Sequence, residues 1–340
     1  MKRPPNWRES IWMDTSRPSF FPGQRWQDTN GSPIQAHGGG MFHEDGVYYW
    51  FGENKDGDTY GNHRIDVIGV NCYSSTDLFH WKNEGIVLKA MVNDPGHDLH
   101  PRKVAERPKV IYNRITRKYV MWLHVDSRDY IAASAGVAVS DRVTGPYEYI
   151  NSVRPNGKDS RDMTVFQDDD GKAYMVHSSD WNSVTIISDL DDNYLAFTGN
   201  YSRHFDHGKK NTGRESAAVF KHEGRYYIIT SGTTGWSPNA AEYAVAESIH
   251  GPWKVKGNPC IGENADTTFS SQDTFVFPVV ARPGAFVFMA DRWNRHDLRD
   301  SRYVWLPLRV QGEELRVEWL DSWNLAVFEK LQTVALCPKD

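Results

Sequence analysis

"RESAAVFKHEGRYYIITSGT", Arg214 to Thr233, reads as one antiparallel hairpin: an apolar strand, a Lys-His-Glu-Gly turn and a second, aromatic strand. The same cadence recurs as "AHGGGMFHEDGVYYWFGEN", "ERPKVIYNRITRKYVMWLHVD", "RDMTVFQDDDGKAYMVHSSD" and "SQDTFVFPVVARPGAFVFMAD". Turns centre near Gly46, Arg117, Gly171, Gly224 and Gly284, a repeat of roughly 50 to 70 residues. A second pattern follows most copies: "CYSSTDLFHWKNEG", "VAVSDRVTGPYEYI", "TIISDLDDNYLAFTG" and "AVAESIHGPWKVKG" each give a strand, a Ser-led polar turn and an aromatic residue opening another strand. Each unit therefore holds about four strands, and no segment sustains a helical stripe over three turns.

Five units of four antiparallel strands set radially make an all-β, five-bladed β-propeller. A large β-sandwich leaves the fixed order of the two patterns unexplained. The expected blades are 31–90, 104–152, 160–203, 213–258 and 269–326, in a single domain over 1–340 with N- and C-terminal closure segments.

The net charge of −5 and pI near 6.2 supply no basic field, which argues against nucleic acid or an anionic membrane as the partner. No run of about 18 apolar residues occurs. Cys72, Cys260 and Cys337 are odd in number and far apart, so they form neither a disulfide framework nor a zinc motif. If Met1 is the native start the protein is cytoplasmic; if a signal peptide has been removed it is secreted or periplasmic. A monomer is expected. The 13 Trp, 16 Tyr and 15 Phe suit a β-rich core, and also the stacking of sugar faces on flat rings.

Aligned on their first strands, the units begin with polar residues: Gln35 and His37, then Glu106, Asp162, Glu215 and Gln272. From His37, Glu106, Asp162, Glu215 and Gln272 to the turn centres the intervals are 9, 11, 9, 9 and 12 residues, so these positions are equivalent. In a propeller the first strand of each blade lines the axis, and equivalent starts converge on one face, which makes Gln35 and His37 candidate substrate-binding residues. Several carboxylates with amides in one concave site, Glu53 of "GEN" among them, suit glycoside hydrolysis, which needs a protonated acid and a group that serves water. Asp180 and Trp181 in "SSDWN" and Trp236 in "TTGWSP" follow second strands and are candidate sugar-binding positions.

These motifs resemble glycoside hydrolase family 43, and within it the branch of exo-β-1,3-galactanases. The resemblance rests on "IQAHGGG", "GEN", "ERPKVIYN", "SRDMTVFQDDDGKAY", "ESAAVF" and "SSQDTFV", from about residue 30 to 325. It implies that Glu215 is the general acid, that Glu106 binds substrate and tunes it, and that Glu53 and Asp162 hold sugar hydroxyls. It also implies that Gln272 positions the attacking water and that Tyr130, Thr233 and Gly235 build a galactose subsite. Most of the family carries an aspartate base where this chain has Gln35, so either a Gln272 tautomer or a carboxylate relaying through water must serve instead.

The implied activity is inverting, exo-acting release of galactose from β-1,3-galactan or a galacto-oligosaccharide. An α-L-arabinofuranosidase or β-D-galactofuranosidase of neighbouring branches is the alternative, and a non-catalytic propeller lectin is the rival from another class. No cofactor is required and no metal ligands are assigned, although a calcium or other ion in the channel is compatible with the family. "NDPGHDLHP", with His97, Asp98 and His100, lacks zinc-motif spacing and reads as a blade connection. Glycines 38 to 40 are expected to permit close approach of backbone rather than to cradle phosphate.

Overall fold

The computed structural model describes residues 18–329; the start of the N-terminal closure segment and Cys337 lie outside the described residues. Blade one comprises β1 (His37–Glu44), β2 (Val47–Glu53), β3 (Gly69–Ser75) and β4 (Lys82–Lys89), and blade two β5 (Val104–Asn113), β6 (Lys118–Asp126), β7 (Ser134–Ser140) and β8 (Glu148–Val153). Blade three holds β9 (Arg161–Gln167), β10 (Ala173–Ser179), β11 (Val184–Leu190) and β12 (Phe197–His204), and blade four β13 (Arg214–His222), β14 (Arg225–Gly232), β15 (Glu242–Ala246) and β16 (Lys254–Gly257). After β17 (Cys260–Ile261), blade five runs through β18 (Gln272–Pro278), β19 (Phe286–Arg292), β20 (Arg302–Gln311) and β21 (Glu314–Glu318).

Each blade is an antiparallel meander, and β1, β5, β9, β13 and β18 close the ring around the axis of the five-bladed propeller. Blade five differs from the four-strand expectation, because β17 adds parallel to β21 and makes it five-stranded. The hairpin turns share one device. Gly46, Arg117, Gly171, Gly224 and Gly284 all take positive φ, which matches the turn to the twist of the flanking strands.

Apolar side chains fill the seams between blades. The largest cluster, spanning the seams of blade five with blades one and four, contains Phe20, Trp50, Trp81, Trp305 and Trp323, all buried, with Trp26 packed against them. Segments flanking the blades clamp this seam: Phe20 and Trp323 exchange backbone hydrogen bonds of 2.7 and 3.0 Å, and Gly23 N–H donates to Tyr303 O at 2.7 Å. Much of the tryptophan content is thus ring closure. Trp122, also fully buried, packs the seam between blades two and three.

One irregularity positions the site. Every inner strand shifts register near its start: at His37/Gly40, Glu106/Lys109, Glu215/Ala218 and Asp273/Phe275, and opposite His177/Ser178 on β9. A bulge breaks the in/out alternation and re-aims side chains toward the axis. In blade one it requires bare backbone. A Cβ on Gly39 would lie 2.1 Å from Phe51 O, and one on Gly38, at φ +55°, would lie 2.2 Å from Glu53 Oε1.

Candidate active site

The bulged strand starts surround a cavity of about 310 Å³ at one end of the axis. Glu53, Glu106, Tyr130, Asp162, Trp181, Glu215, Gly235, Trp236 and Gln272 all line it. Four expected binding residues do not. The Gln35 amide is spent on backbone, donating to Arg299 O at 3.0 Å and accepting from Lys55 N at 3.2 Å. His37 is fully buried, set between Asp291 and Tyr303. Asp180 faces outward to Arg203 at 2.9 Å, and the Thr233 hydroxyl donates to Asn211 O at 2.7 Å.

Arg107 is the hub. It follows Glu106 directly, yet the bulge and its own φ of +57° turn it into the cavity as well. One guanidinium nitrogen donates to Asp162 Oδ2 at 3.0 Å and to Gln272 Oε1 at 2.7 Å, while the other reaches Asp273 O at 3.3 Å. Its backbone N–H donates to Glu53 Oε1 at 3.0 Å. Trp293 Nε1–H supplies a second donor to Gln272 Oε1 at 3.0 Å. Arginine and indole only donate, so they fix which end of the Gln272 amide is oxygen. Its Nε2 then donates to Glu215 Oε1 at 3.1 Å and to Ser231 Oγ at 3.0 Å.

The carboxyl groups are driven apart in acidity. Burial first, and then the negative charges of Asp162 and Asp273, push Glu215 up to about 8, so it carries a proton at neutral pH. Asn182 Nδ2 donates to its Oε2 at 3.1 Å. Glu106 goes the other way. Burial alone would raise it, but the His124 hydrogen bond and the cations Lys55 and Arg64 hold it well below the usual carboxylate range. Its Oε1 accepts from Tyr130 OH at 2.8 Å. Burial disfavours the charged form of His124, yet Asp126 and Glu106 raise it to about 9, so this neighbour is an imidazolium. Glu53 is raised by burial against the opposing pull of Lys55, 2.5 Å away.

On the rim, Trp181 lies under the Arg161 guanidinium at 4.2 Å and the Lys210 ammonium at 3.3 Å. Trp236 meets Trp293 edge to face at 5.8 Å. Glu106, His124 and Asp162 bring possible metal-ligand atoms within 4.8 Å of one another. They suit a cation poorly, because Asp162 already holds Arg107, Glu106 faces Arg64 and His124 is protonated. His97 and His100 accept backbone N–H groups in their own turns, and Asp98 binds Tyr149 and Ser152.

Sequence reasoning missed Arg107, His124, Asn182 and Trp293, among others. Trp293 carried the signal that marked Trp181 and Trp236, since all three follow a second strand. His124 was visible as a polar break in the apolar run "MWLHVD".

Residues 40–276 match the family model of glycosyl hydrolases family 43. Among solved structures, the chain is similar to a family 43 β-1,3-galactosidase with galactodeoxynojirimycin, at 41% identity and a TM-score of 0.83, over 90% of this chain and 100% of that one. It is similar to a variant exo-β-1,3-galactanase from Phanerochaete chrysosporium with β-1,3-galactotriose, at 35% identity and a TM-score of 0.82, over 91% of this chain and 68% of that one. For an exo-β-1,3-galactanase from Clostridium thermocellum the values are 34%, 0.80, 90% and 66%. A β-D-galactofuranosidase of Aspergillus niger is 23% identical over 239 residues, 64% of this chain and 67% of that protein.

Proposed function

This chain belongs to glycosyl hydrolases family 43, and on that footing we propose that it releases galactose from the ends of β-1,3-linked galactan with inversion. The observation that carries the proposal is the setting of Glu215, a carboxyl that burial, and then Asp162 and Asp273, push up to about 8, beside a locked amide in the axial cavity. Glu215 gives its proton to the glycosidic oxygen as that bond breaks, while water attacks the anomeric carbon from the opposite face. The ionised Glu106, with Tyr130, Asp162 and Arg107, supplies acceptors and donors for the hydroxyls of the terminal sugar. The similar galactanases support galactose as that sugar.

A closed axis supports action at chain ends. Lys109, buried across the axis, donates to Gly38 O at 2.9 Å and to Arg107 O at 3.4 Å, so a polysaccharide cannot thread through. The chemistry needs no cofactor, because protonation and water attack are both served by side chains. The distant Aspergillus niger relative favours a second reading, release of galactofuranose. Digestion of β-1,3-galactan followed in real time by proton NMR separates them. The expected product is free galactose, first formed as the α-anomer, at a rate indifferent to a chelator. Hydrolysis of galactofuranosides or arabinofuranosides alone would overturn the proposal.

A further inference from the structure

We propose that the attacking water is served from a small polar chamber behind Gln272 and yields its proton to Asp291. This deepens the hydrolase reading, on which it rests, by naming the base.

Gln272 cannot take that proton as it stands. Its oxygen accepts from both Arg107 and Trp293, and its two N–H bonds point at Glu215 and Ser231, so all four hydrogen-bonding positions of the amide are filled. An O–H imidic tautomer would aim a proton at two groups that only donate. A carboxylate stands directly across the strand pair instead. Asp291 on β19 is the register partner of Gln272 on β18, and paired residues project on the same face of a sheet.

Both residues line a cavity of about 20 Å³, with Ser271, Asn239, Trp236 and Trp293. That volume holds about one water molecule, and its lining is polar enough to bind one. Gln272, Trp236 and Trp293 also line the main cavity, so the two spaces adjoin through them. A sugar filling the main cavity from its open mouth leaves the chamber as a source of water from behind.

Asp291 is 2% exposed and firmly aimed. Its Oδ2 accepts from Gly38 N–H at 3.0 Å, and its Oδ1 faces His37 Nδ1 at 3.1 Å. His37 stacks on Tyr303 at 4.8 Å, and its Nε2 lies 3.3 Å from the Tyr303 hydroxyl. This arrangement explains a fully buried imidazole that never reaches the sugar: it orients the carboxylate. The fifth blade thereby delivers a carboxylate to the first blade's strand start, where the first blade's own sequence offers Gln35. Arg107 and Lys109 on β5 face Asp291 across the axis, and His37 and Tyr303 flank it.

The step balances. One O–H bond of the attacking water breaks, and its proton passes to Asp291 through a second water that has taken its place in the chamber. The water oxygen bonds to the anomeric carbon, whose bond to the leaving oxygen breaks as Glu215 protonates that oxygen. Asp291 ends neutral and Glu215 ionised, and solvent restores both.

Asp291→Asn tests this, because an amide keeps an acceptor for Gly38 N–H and turns its NH₂ to His37. Expected on a β-1,3-galacto-oligosaccharide is a kcat lower by about 10²–10⁴-fold, the usual worth of a positioned base, with KM within about three-fold. The acidic limb of the kcat/KM profile should vanish, and formate or azide should restore part of the rate. A kcat within about three-fold of wild type, or a loss with an unchanged pH profile and no anion rescue, overturns the proposal. Should Asp291→Asn fail to fold, Asp291→Glu decides: a displaced acidic limb with retained activity supports the assignment, and a folded, inactive protein refutes it. Wild-type protein that releases no galactose would instead refute the galactanase reading.

Discussion

Replacing Glu215 by Gln should destroy activity while stabilising the protein, and the two effects have one cause. The isosteric amide cannot donate a proton to the leaving oxygen, so kcat on β-1,3-galactan should fall by about 10²–10⁴-fold. Asn182 Oδ1, buried without a partner, becomes an acceptor for the new NH₂. The stability gain follows from the raised acidity constant. A carboxyl moved from 4.5 to about 8 binds a proton more tightly in the folded than in the unfolded chain, so folding is weakened as pH rises from 4.5 to 8. At about 1.4 kcal/mol per tenfold in proton affinity the full effect is roughly 5 kcal/mol. Solvent in the cavity mouth screens part of it, leaving about 2–5 kcal/mol. Urea denaturation of both proteins at several pH values reads this directly: the variant should be the more stable, by a margin that grows from pH 5 to 8. Equal activity, or a margin that does not grow with pH, would refute the reasoning.

Gly39→Ala places a methyl group 2.1 Å from Phe51 O, so the melting temperature should fall by an amount equivalent to about 3 kcal/mol; an unchanged melting curve contradicts the close approach. Trp181→Ala should raise KM about tenfold, near 1.4 kcal/mol, with kcat held within about two-fold; an unchanged KM removes the indole as a sugar platform. In the wild-type protein kcat/KM should decline above about pH 8 as Glu215 ionises, and an alkaline limb centred below pH 6 would be incompatible with its protonated role.

The propeller was legible because each blade repeats a period-two pattern across a turn that needs positive φ, and such turns mark themselves with Gly in four of the five blades. β17 was not, since two residues pairing in parallel leave no periodicity. In the site, Glu106, Asp162, Glu215 and Gln272 could be found from residue type and equivalent position alone. Arg107 could not. Simple alternation sends residues 106 and 107 to opposite faces, and only the bulge brings both to the axis. The same distortion misled the reading of Gln35, which precedes the blade-one bulge and turns back onto Lys55 and Arg299. Alternation is therefore a sound guide to the blades and a poor one at the strand starts, where the chemistry resides.

Lys109 shows how the fold closes that site from below. Its stem runs past Gly40, where an added Cβ would lie 2.5 Å from Cδ, and its amine caps two backbone carbonyls toward the sugar side. Lys109 also lines a second cavity, of about 380 Å³, together with Phe42, Phe166, Phe220 and Phe275. Burial, and then Arg107, lower the amine from 10.5 to about 7. The folded chain thus binds fewer protons than the unfolded chain between pH 7 and 10.5, and stability must rise across that window, opposite in sign to Glu215. The full gain is roughly 5 kcal/mol at about 1.4 kcal/mol per tenfold. Lys109→Met keeps the stem and removes the titration. Whether it raises or lowers stability depends on two carbonyls that lose a donor, at about 1–3 kcal/mol each, set against the relief of a buried charge. The slope does not depend on that balance: wild type should gain on Lys109→Met between pH 7 and 10 in urea denaturation, while the variant, still plugged, should release galactose as its only product. Parallel stability curves would show that the amine is not buried as the structure places it.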